Sequence, residues 1–340
     1  MSVNQTAASA ALAILIAATA SMYSPTAAAA APPGYDAERD RFVTEMVDRH
    51  GFDSAELSAL MAGARYQQDI VDAMDRPYEE KAWGAYRRLF VTPERIAGGR
   101  RFLAEHADLL SKVETAFGVP AAVITAIIGI ETNYGQTLGS HRVLDALTTL
   151  GFAYPRRAAF FRKELEEFLL LSREEQVDAA AVRGSYAGAV GRPQFIPSSY
   201  RAYAIDFDGD GRRDLWASDA DVIGSVGAYL AEHGWQRGQP IASPASVGRS
   251  VGTVIPIGGK RPQVPETRVA QLVDAGVEPT EPLDPNALAA LIRLENNGPE
   301  YWVTLENFYA ITRYNHSNLY ALAAYQLSQA IAPEREPGGD

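Results

Sequence analysis

Glu131 ends an apolar run within Gly118–Gly135, GVPAAVITAIIGIETNYG, and its surroundings suit acid chemistry. Val123, Ile124, Ile127, Ile128 and Ile130 form a run too long for an ordinary strand, so a helix is expected, with Pro120 at its first position. Glu131 falls on the apolar stripe that Ile124, Ile127 and Ile128 define, and the stop signals Asn133 and Gly135 put it in the last turn. Poor solvation beside aliphatic side chains and the partial negative charge of a helix C-terminus both favour the protonated carboxyl. A carboxylic acid kept protonated near neutrality is a general acid, whereas the same residue at a fraying, solvated helix end does no chemistry. The stretch by itself admits both readings.

Two further stretches carry chemistry. Gly184–Gly191, GSYAGAVG, has three glycines in eight residues, which suits either a loop whose backbone approaches a ligand or a tight turn between helices. Gln194, Phe195, Ser198, Ser199 and Tyr200 follow it, a polar and aromatic mixture of the kind that lines sugar sites. Asp206–Asp214, DFDGDGRRD, puts acidic residues at loop positions 1, 3, 5 and 9 and glycine at position 6. Hard oxygen ligands at that spacing wrap Ca²⁺, with Asp206, Asp208, Asp210 and Asp214 as donors and Arg212 offering its backbone carbonyl. Ala217 replaces the usual closing Glu at position 12, so Asp219 or Asp221 is expected to complete the shell. Four carboxylates this close repel one another without a cation, which favours metal over a solvated turn. The loop reads as a structural staple remote from the chemistry.

Other machineries find little support. The chain has 340 residues and no cysteine, excluding disulfides, thiolate metal sites and a cysteine nucleophile. Its five histidines are scattered without metal-binding spacing, and neither a GxSxG elbow nor a phosphate loop is present. A net charge of −11 argues against a nucleic-acid partner, and no organic cofactor is expected.

The elements that must position these residues are mostly helical. Residues 1–35 contain no charged side chain, and Ala10–Ala20 with the Ala27–Ala31 tract reads as a secretory signal, residues 1–31. No Lys or Arg marks its start, so the true start codon is expected upstream. No later segment is expected to span a membrane. Helices are expected over Asp36–His50, from a capping box at Asp53 and Glu56, and from Thr92-Pro93 through Phe117 with a break at Gly98-Gly99. After the Glu131 helix, further helices are expected over His141–Leu150 and Ala158–Leu171. Residues 236–304 lose helical periodicity and read as a small β-containing insertion, with strands at Leu288–Leu294 and Tyr301–Leu305 joined through Asn297-Gly298. Helix returns over Leu305–Tyr314 and from Ser317 to Ile331.

Six segments together resemble one family: GVPAAVITAIIGIETNYG, LDALTTLGFAYPRRAAFF, GSYAGAVGRPQFIPSSY, YAIDFDGDGRRDLW, IGSVGAYLAEHGW and NFYAITRYNHSNLYALA. In that order and spacing they look like the lytic murein transglycosylase B family, glycoside hydrolase family 103, over nearly all of Asp36–Ile331. The resemblance implies a mainly α (α+β) chain. Its parts would be an N-terminal helical domain (36–117), a lysozyme-like catalytic core (118–235) with a calcium loop (206–221), the β-containing insertion (236–304) and C-terminal helices completing the core (305–331). It implies cleavage of the MurNAc-β-1,4-GlcNAc bond of peptidoglycan, leaving 1,6-anhydromuramoyl ends. Glu131 matches the family's sole catalytic acid/base, and Ser185 the residue that holds the muramoyl N-acetyl group. Tyr86, Tyr154, Arg156, Gln194, Phe195, Tyr314 and Asn315 fall where the family lines its glycan groove. The chain departs from the family in having no lipobox Cys, which favours a soluble periplasmic form over a membrane-anchored one. It departs also at Val190 and Arg192-Pro193, where subsite shape would change. A hydrolytic muramidase and a non-catalytic peptidoglycan-binding scaffold are the alternatives; a degenerate binder would be expected to have lost Glu131.

Overall fold

A computed structural model describes residues 30–75, 81–248 and 251–333; the signal-peptide segment lies outside them but for its last two residues. Among the described residues the helices run in order α1 (Tyr35–His50), α2 (Ser54–Ala62), α3 (Gln68–Met74), α4 (Trp83–Phe90), α5 (Pro93–Glu105), α6 (Ala107–Phe117), α7 (Ala121–Thr132), α8 (Val143–Ala153), α9 (Ala158–Glu174), α10 (Pro197–Tyr203), α11 (Asp219–Glu232), α12 (Val269–Asp274), α13 (Glu306–Tyr314) and α14 (Asn318–Ile331). The strands are β1 (His141–Arg142), β2 (Arg183–Gly184), β3 (Ala242–Val247), β4 (Ile257–Gly258), β5 (Thr267–Arg268), β6 (Val277–Pro279), β7 (Leu288–Glu295) and β8 (Pro299–Leu305). The chain is thus mainly helical with a small sheet. No single helix among the described residues is long and apolar enough to cross a membrane.

Backbone contacts divide the chain into two units, described through residues 30–75 and 127–228 in one and 81–126, 229–248 and 251–333 in the other. Each is built around a helix buried nearly all round, the state expected of a helix with no wholly polar face. In the first unit that helix is α8, buried continuously from Val143 to Gly151. The backbone of α9 packs so closely on it that a Cβ on Gly151 would sit 3.2 Å from the Arg162 nitrogen. The polar residues of α8 fasten the α2–α3 link: Asp145 accepts from the Arg65 N–H at 2.9 Å and Thr149 from the Gln67 N–H at 3.1 Å. Asp53 caps α2, accepting from the Glu56 N–H at 2.8 Å, and Gly51 ends α1 in the left-handed region.

In the second unit the central helix is α14, with Ser317 capping its first turn and Asn318 through Ala324 buried. Asn318 donates to the carbonyls of Gly259 and Arg261 at 2.7 and 2.8 Å and so pins the loop that follows β4. The sheet order is β4-β7-β8-β3-β6, with β5 also on β7; only the β4–β7 pair is parallel. One face closes over Val251, Val269, Leu272, Val277, Leu291 and Val303. Asn297 and Gly298, both at positive φ, turn β7 into β8. Glu114 on α6 accepts from the Ala121 N–H at 2.9 Å and so serves the first turn of α7.

Two local expectations are corrected. The break in the Pro93–Phe117 helix falls at His106, not at Gly98-Gly99: His106 leaves the helical region while Gly99 stays helical and buried. His141-Arg142 is a strand, not the start of a helix, because its backbone pairs with Arg183-Gly184. Periodicity cannot signal so short a pairing with a partner some forty residues away.

Candidate active site and acidic loop

Glu131 is 6% exposed in the last turn of α7, on a helix whose Ile124, Ile127 and Ile128 are fully buried. The helix stops abruptly because Asn133, Tyr134 and Gly135 all take left-handed backbone conformations. A left-handed tyrosine is uncommon, and such strain is held only where the surroundings enforce it. Here the Tyr134 ring folds back over Gly129, where a Cβ would meet it at 2.6 Å. Thr132, next to Glu131, donates to the Arg192 carbonyl at 2.9 Å and accepts from the Gly135 N–H at 3.1 Å. The carboxylate-bearing turn is thereby fastened to the glycine-rich loop.

That loop is built by close backbone approach. A Cβ on Gly184 would lie 2.0 Å from the Ala189 carbonyl oxygen, and one on Gly139 would lie 2.0 Å from that of Gly184. Ser185 is buried, and its Oγ accepts from the N–H groups of Ala189 and Ala187 at 3.0 and 3.3 Å. With both acceptor positions taken, its hydroxyl has a proton to donate. Gln194 sits at a positive φ and donates to the Gly191 carbonyl at 2.8 Å; its Oε1 is buried without a partner among the described residues. Phe195 is buried, and its carbonyl accepts from the Val190 N–H at 2.8 Å.

Tyr154 and Arg156 converge instead on Asp75 at the end of α3, at 3.0 and 3.4 Å. Burial, and then the Asp75 carboxylate, push the Tyr154 phenol above its usual range. Tyr86, Tyr314 and Asn315 belong to the other unit. There Tyr86 is buried against Phe90, with ring centroids 5.1 Å apart, and Tyr314 lies parallel to Tyr320 and edge-on to Tyr229. Asn315 is buried, and its Oδ1 has no partner among the described residues.

The acidic loop gathers oxygen atoms of Asp206, Asp208 and Asp210 within 4.8 Å of one another. Backbone N–H groups fold around them: Gly209 and Gly211 donate to Asp206 at 2.7 and 2.8 Å, and Arg212 to Asp210 at 2.9 Å. A compact set of hard oxygens on a glycine-turned loop fits Ca²⁺. Asp214 accepts from the N–H groups of Trp216 and Ala217, both at 2.9 Å, while buried Asp221 accepts from Phe207 and Asp214, both at 2.8 Å. The Asp219 carboxylate pairs with Arg192.

Arg192 is the residue that composition and motif reading missed as a connector. Its N–H donates to the Leu215 carbonyl at 2.8 Å and its Nε to that of Trp216 at 3.0 Å. A hydrogen-bonded path therefore runs from the exit of the acidic loop through Arg192 to Thr132, beside Glu131. No spacing rule signals it, because its partners are backbone carbonyls far away in sequence.

A family model described as the transglycosylase SLT domain matches residues 34–329, nearly the whole described chain. The chain belongs to this family. It is 42% identical over 306 residues to the membrane-bound lytic murein transglycosylase B of Escherichia coli K12, covering 87% of this chain and 82% of that one. The solved structure of the E. coli lytic transglycosylase Slt35 in complex with calcium superposes with a TM-score of 0.78 at 42% identity, over 86% of this chain and 92% of that one. SltB3 from Pseudomonas aeruginosa, solved with NAG-anhNAM-pentapeptide, gives 0.75 at 29% identity, over 88% and 80%. The mainly helical, lysozyme-like SLT fold expected from the resemblance is the fold found.

Proposed function

We propose that the chain is a lytic murein transglycosylase that cuts the MurNAc-β-1,4-GlcNAc bond of peptidoglycan with Glu131 as its single acid and base. The observation carrying this reading is how the buried carboxylates are used. Among the described residues four acidic side chains are buried: Glu131, Asp145, Glu164 and Asp221. Asp145 holds the α2–α3 link, and Asp221 holds the acidic loop. Glu164 accepts from the Ser198 N–H and Oγ at 2.9 and 2.8 Å, capping α10, and burial raises its pKa. Ordinary glycosidases need two carboxylates, an acid and a nucleophile or base. Three of these four hold backbone elsewhere in the fold; Glu131 is the one carried by the turn that Thr132 fastens to Arg192, at the end of the glycine-rich loop.

A single acid suffices if the acceptor belongs to the substrate. Glu131 protonates the glycosidic oxygen as the bond to muramoyl C1 breaks. As carboxylate it then takes the proton of the muramoyl 6-hydroxyl, whose oxygen closes on C1. That hydroxyl is already in place, so it outcompetes water by effective molarity. Ser185 donates its remaining proton to the 2-acetamido carbonyl and orients that group while positive charge develops. Gln194 and Asn315 each offer an unused acceptor to glycan hydroxyls or N–H groups, and Phe195, Tyr86, Tyr154, Arg156 and Tyr314 supply further contacts. We place the protein in the periplasm, exported by residues 1–31.

Digestion of purified sacculi tests the reading. The released muropeptides should have masses of 1,6-anhydromuramoyl ends, one water below hydrolysed ends; hydrolysed ends alone would establish the muramidase alternative. Intact sacculi that bind the protein without release would establish the scaffold.

Asp206, Asp208 and Asp210, with the Arg212 carbonyl and Asp214, are the donors proposed for a structural Ca²⁺, which would draw the acidic loop together and take no part in bond cleavage; Asp221 contributes by bracing the loop. Saturating calcium at a hundredfold its dissociation constant adds about 2.7 kcal/mol of stability. Chelation should therefore lower the melting temperature by roughly 5–10 °C, and added calcium should restore it. Calorimetry showing no binding at millimolar calcium would reduce the loop to a solvated turn.

A further inference from the structure

The turn after Glu131 and Thr132 is strained, and one residue holds it. Asn133, Tyr134 and Gly135 take left-handed conformations in succession, and two of the three are not glycine. Backbone of that kind persists only where its surroundings over-determine it. Arg192 meets the turn twice. Its carbonyl accepts from Thr132 Oγ1 at 2.9 Å, and its side-chain stem lies against Gly135, where a Cβ would sit 3.2 Å from both Cδ and Nε. Thr132 shares the same hydroxyl with the Ile128 carbonyl at 3.3 Å and accepts from the Gly135 N–H at 3.1 Å. The hydroxyl thus ties the end of α7, the turn and Arg192 into one unit.

Arg192 is itself fixed on its far side. Its N–H donates to the Leu215 carbonyl at 2.8 Å, its Nε to that of Trp216 at 3.0 Å, and its guanidinium pairs with Asp219 in the first turn of α11. Gly191, just before it at positive φ, comes so close to the Leu215 carbonyl that a Cβ would lie 2.8 Å from the oxygen. The ion pair is partly open to solvent, with 24% of the Arg192 and 41% of the Asp219 side chain exposed, and such a pair contributes little to global stability. What it fixes is direction: a planar fork serves Trp216 and Asp219 together in one orientation only. We infer that Arg192 is a positioning residue for the catalytic acid, clamping the strained turn so that the Glu131 carboxyl is held where the glycosidic oxygen arrives. The inference rests on Glu131 being that acid.

Arg192→Ala should lower kcat on glycan strands on the order of a hundredfold, the cost of a displacement of about 1 Å, with KM and melting temperature close to wild type. Arg192→Lys keeps a cation for Asp219 but loses the fork, and should recover part of the rate. Thr132→Val cuts the clamp from its other end, leaving the Arg192 carbonyl without that donor. Because both changes act on one clamp, the double variant should be little slower than the slower single one. Hydrogen exchange reads the clamp without any turnover. Segment 132–137, where the Thr137 N–H donates to the Thr132 carbonyl at 2.9 Å, should exchange faster in Arg192→Ala while the interior of α7 stays protected. Unchanged exchange in that segment, or a rise in KM at unchanged kcat, overturns the inference, as do losses that multiply in the double variant. Failure of the transglycosylase reading would look different: wild type would release no product, while exchange would still decide whether Arg192 holds the turn.

Discussion

Glu131→Gln should slow glycan cleavage by roughly a thousandfold or more, the range over which general acid–base catalysis acts, and leave the melting temperature unchanged. The amide has nearly the same shape, so the buried last turn of α7 keeps its packing and its Thr132–Arg192 bond. It has no acidic proton to give the leaving oxygen and cannot take one from the 6-hydroxyl, so both halves of the reaction fail together. Binding of glycan to the variant should persist. Lysis near the wild-type rate by a variant of unchanged stability would remove Glu131 from the mechanism.

The second large effect comes from a residue with no side chain. Gly184→Ala would place a methyl 2.0 Å from the Ala189 carbonyl oxygen and 2.9 Å from Val143 Cγ2. Neither obstacle is a flexible side-chain end: one is backbone, and the other belongs to the buried helix α8. The loop must therefore move, and it carries Ser185, whose Oγ is fixed by the Ala187 and Ala189 N–H groups. Overpacking of this kind costs about 1–3 kcal/mol, a fall in melting temperature of roughly 3–10 °C. A displacement of about 1 Å at a positioning residue costs on the order of a hundredfold in rate. A thermal melt and a sacculus-clearing assay on the same sample check both. Wild-type clearing by a destabilised variant would show that the Ser185 loop need not be held in place.

Much of this arrangement was legible from residue spacing, for reasons particular to each element. The apolar stripe ending at Glu131, the Asp53 cap, the helix beginning at Ser317 and the Asn297-Gly298 turn are local signals, read within a few residues, and each is found as expected. The gathering of Asp206, Asp208 and Asp210 was legible because their spacing is local too. What escaped was non-local. Arg192 binds backbone carbonyls of Leu215 and Trp216, and backbone carries no sequence signature. The His141-Arg142 strand exists only because Arg183-Gly184 lies beside it. Tyr154 and Arg156, read as groove residues, meet Asp75, which no motif singled out. For the same reason the acidic loop, read as remote from the chemistry, is joined to the Glu131 turn by a path of hydrogen bonds through Arg192.

The central claim is that one carboxylate works with an acceptor inside the substrate. Digestion of sacculi in ¹⁸O-labelled water, followed by mass spectrometry of the released ends, tests it most directly. If Glu131 acts alone, water never enters the product, and the new muramoyl ends will be anhydro sugars free of label. Reducing ends carrying ¹⁸O as the main product would mean that water is the acceptor and that a second carboxylate positions it, contradicting the account.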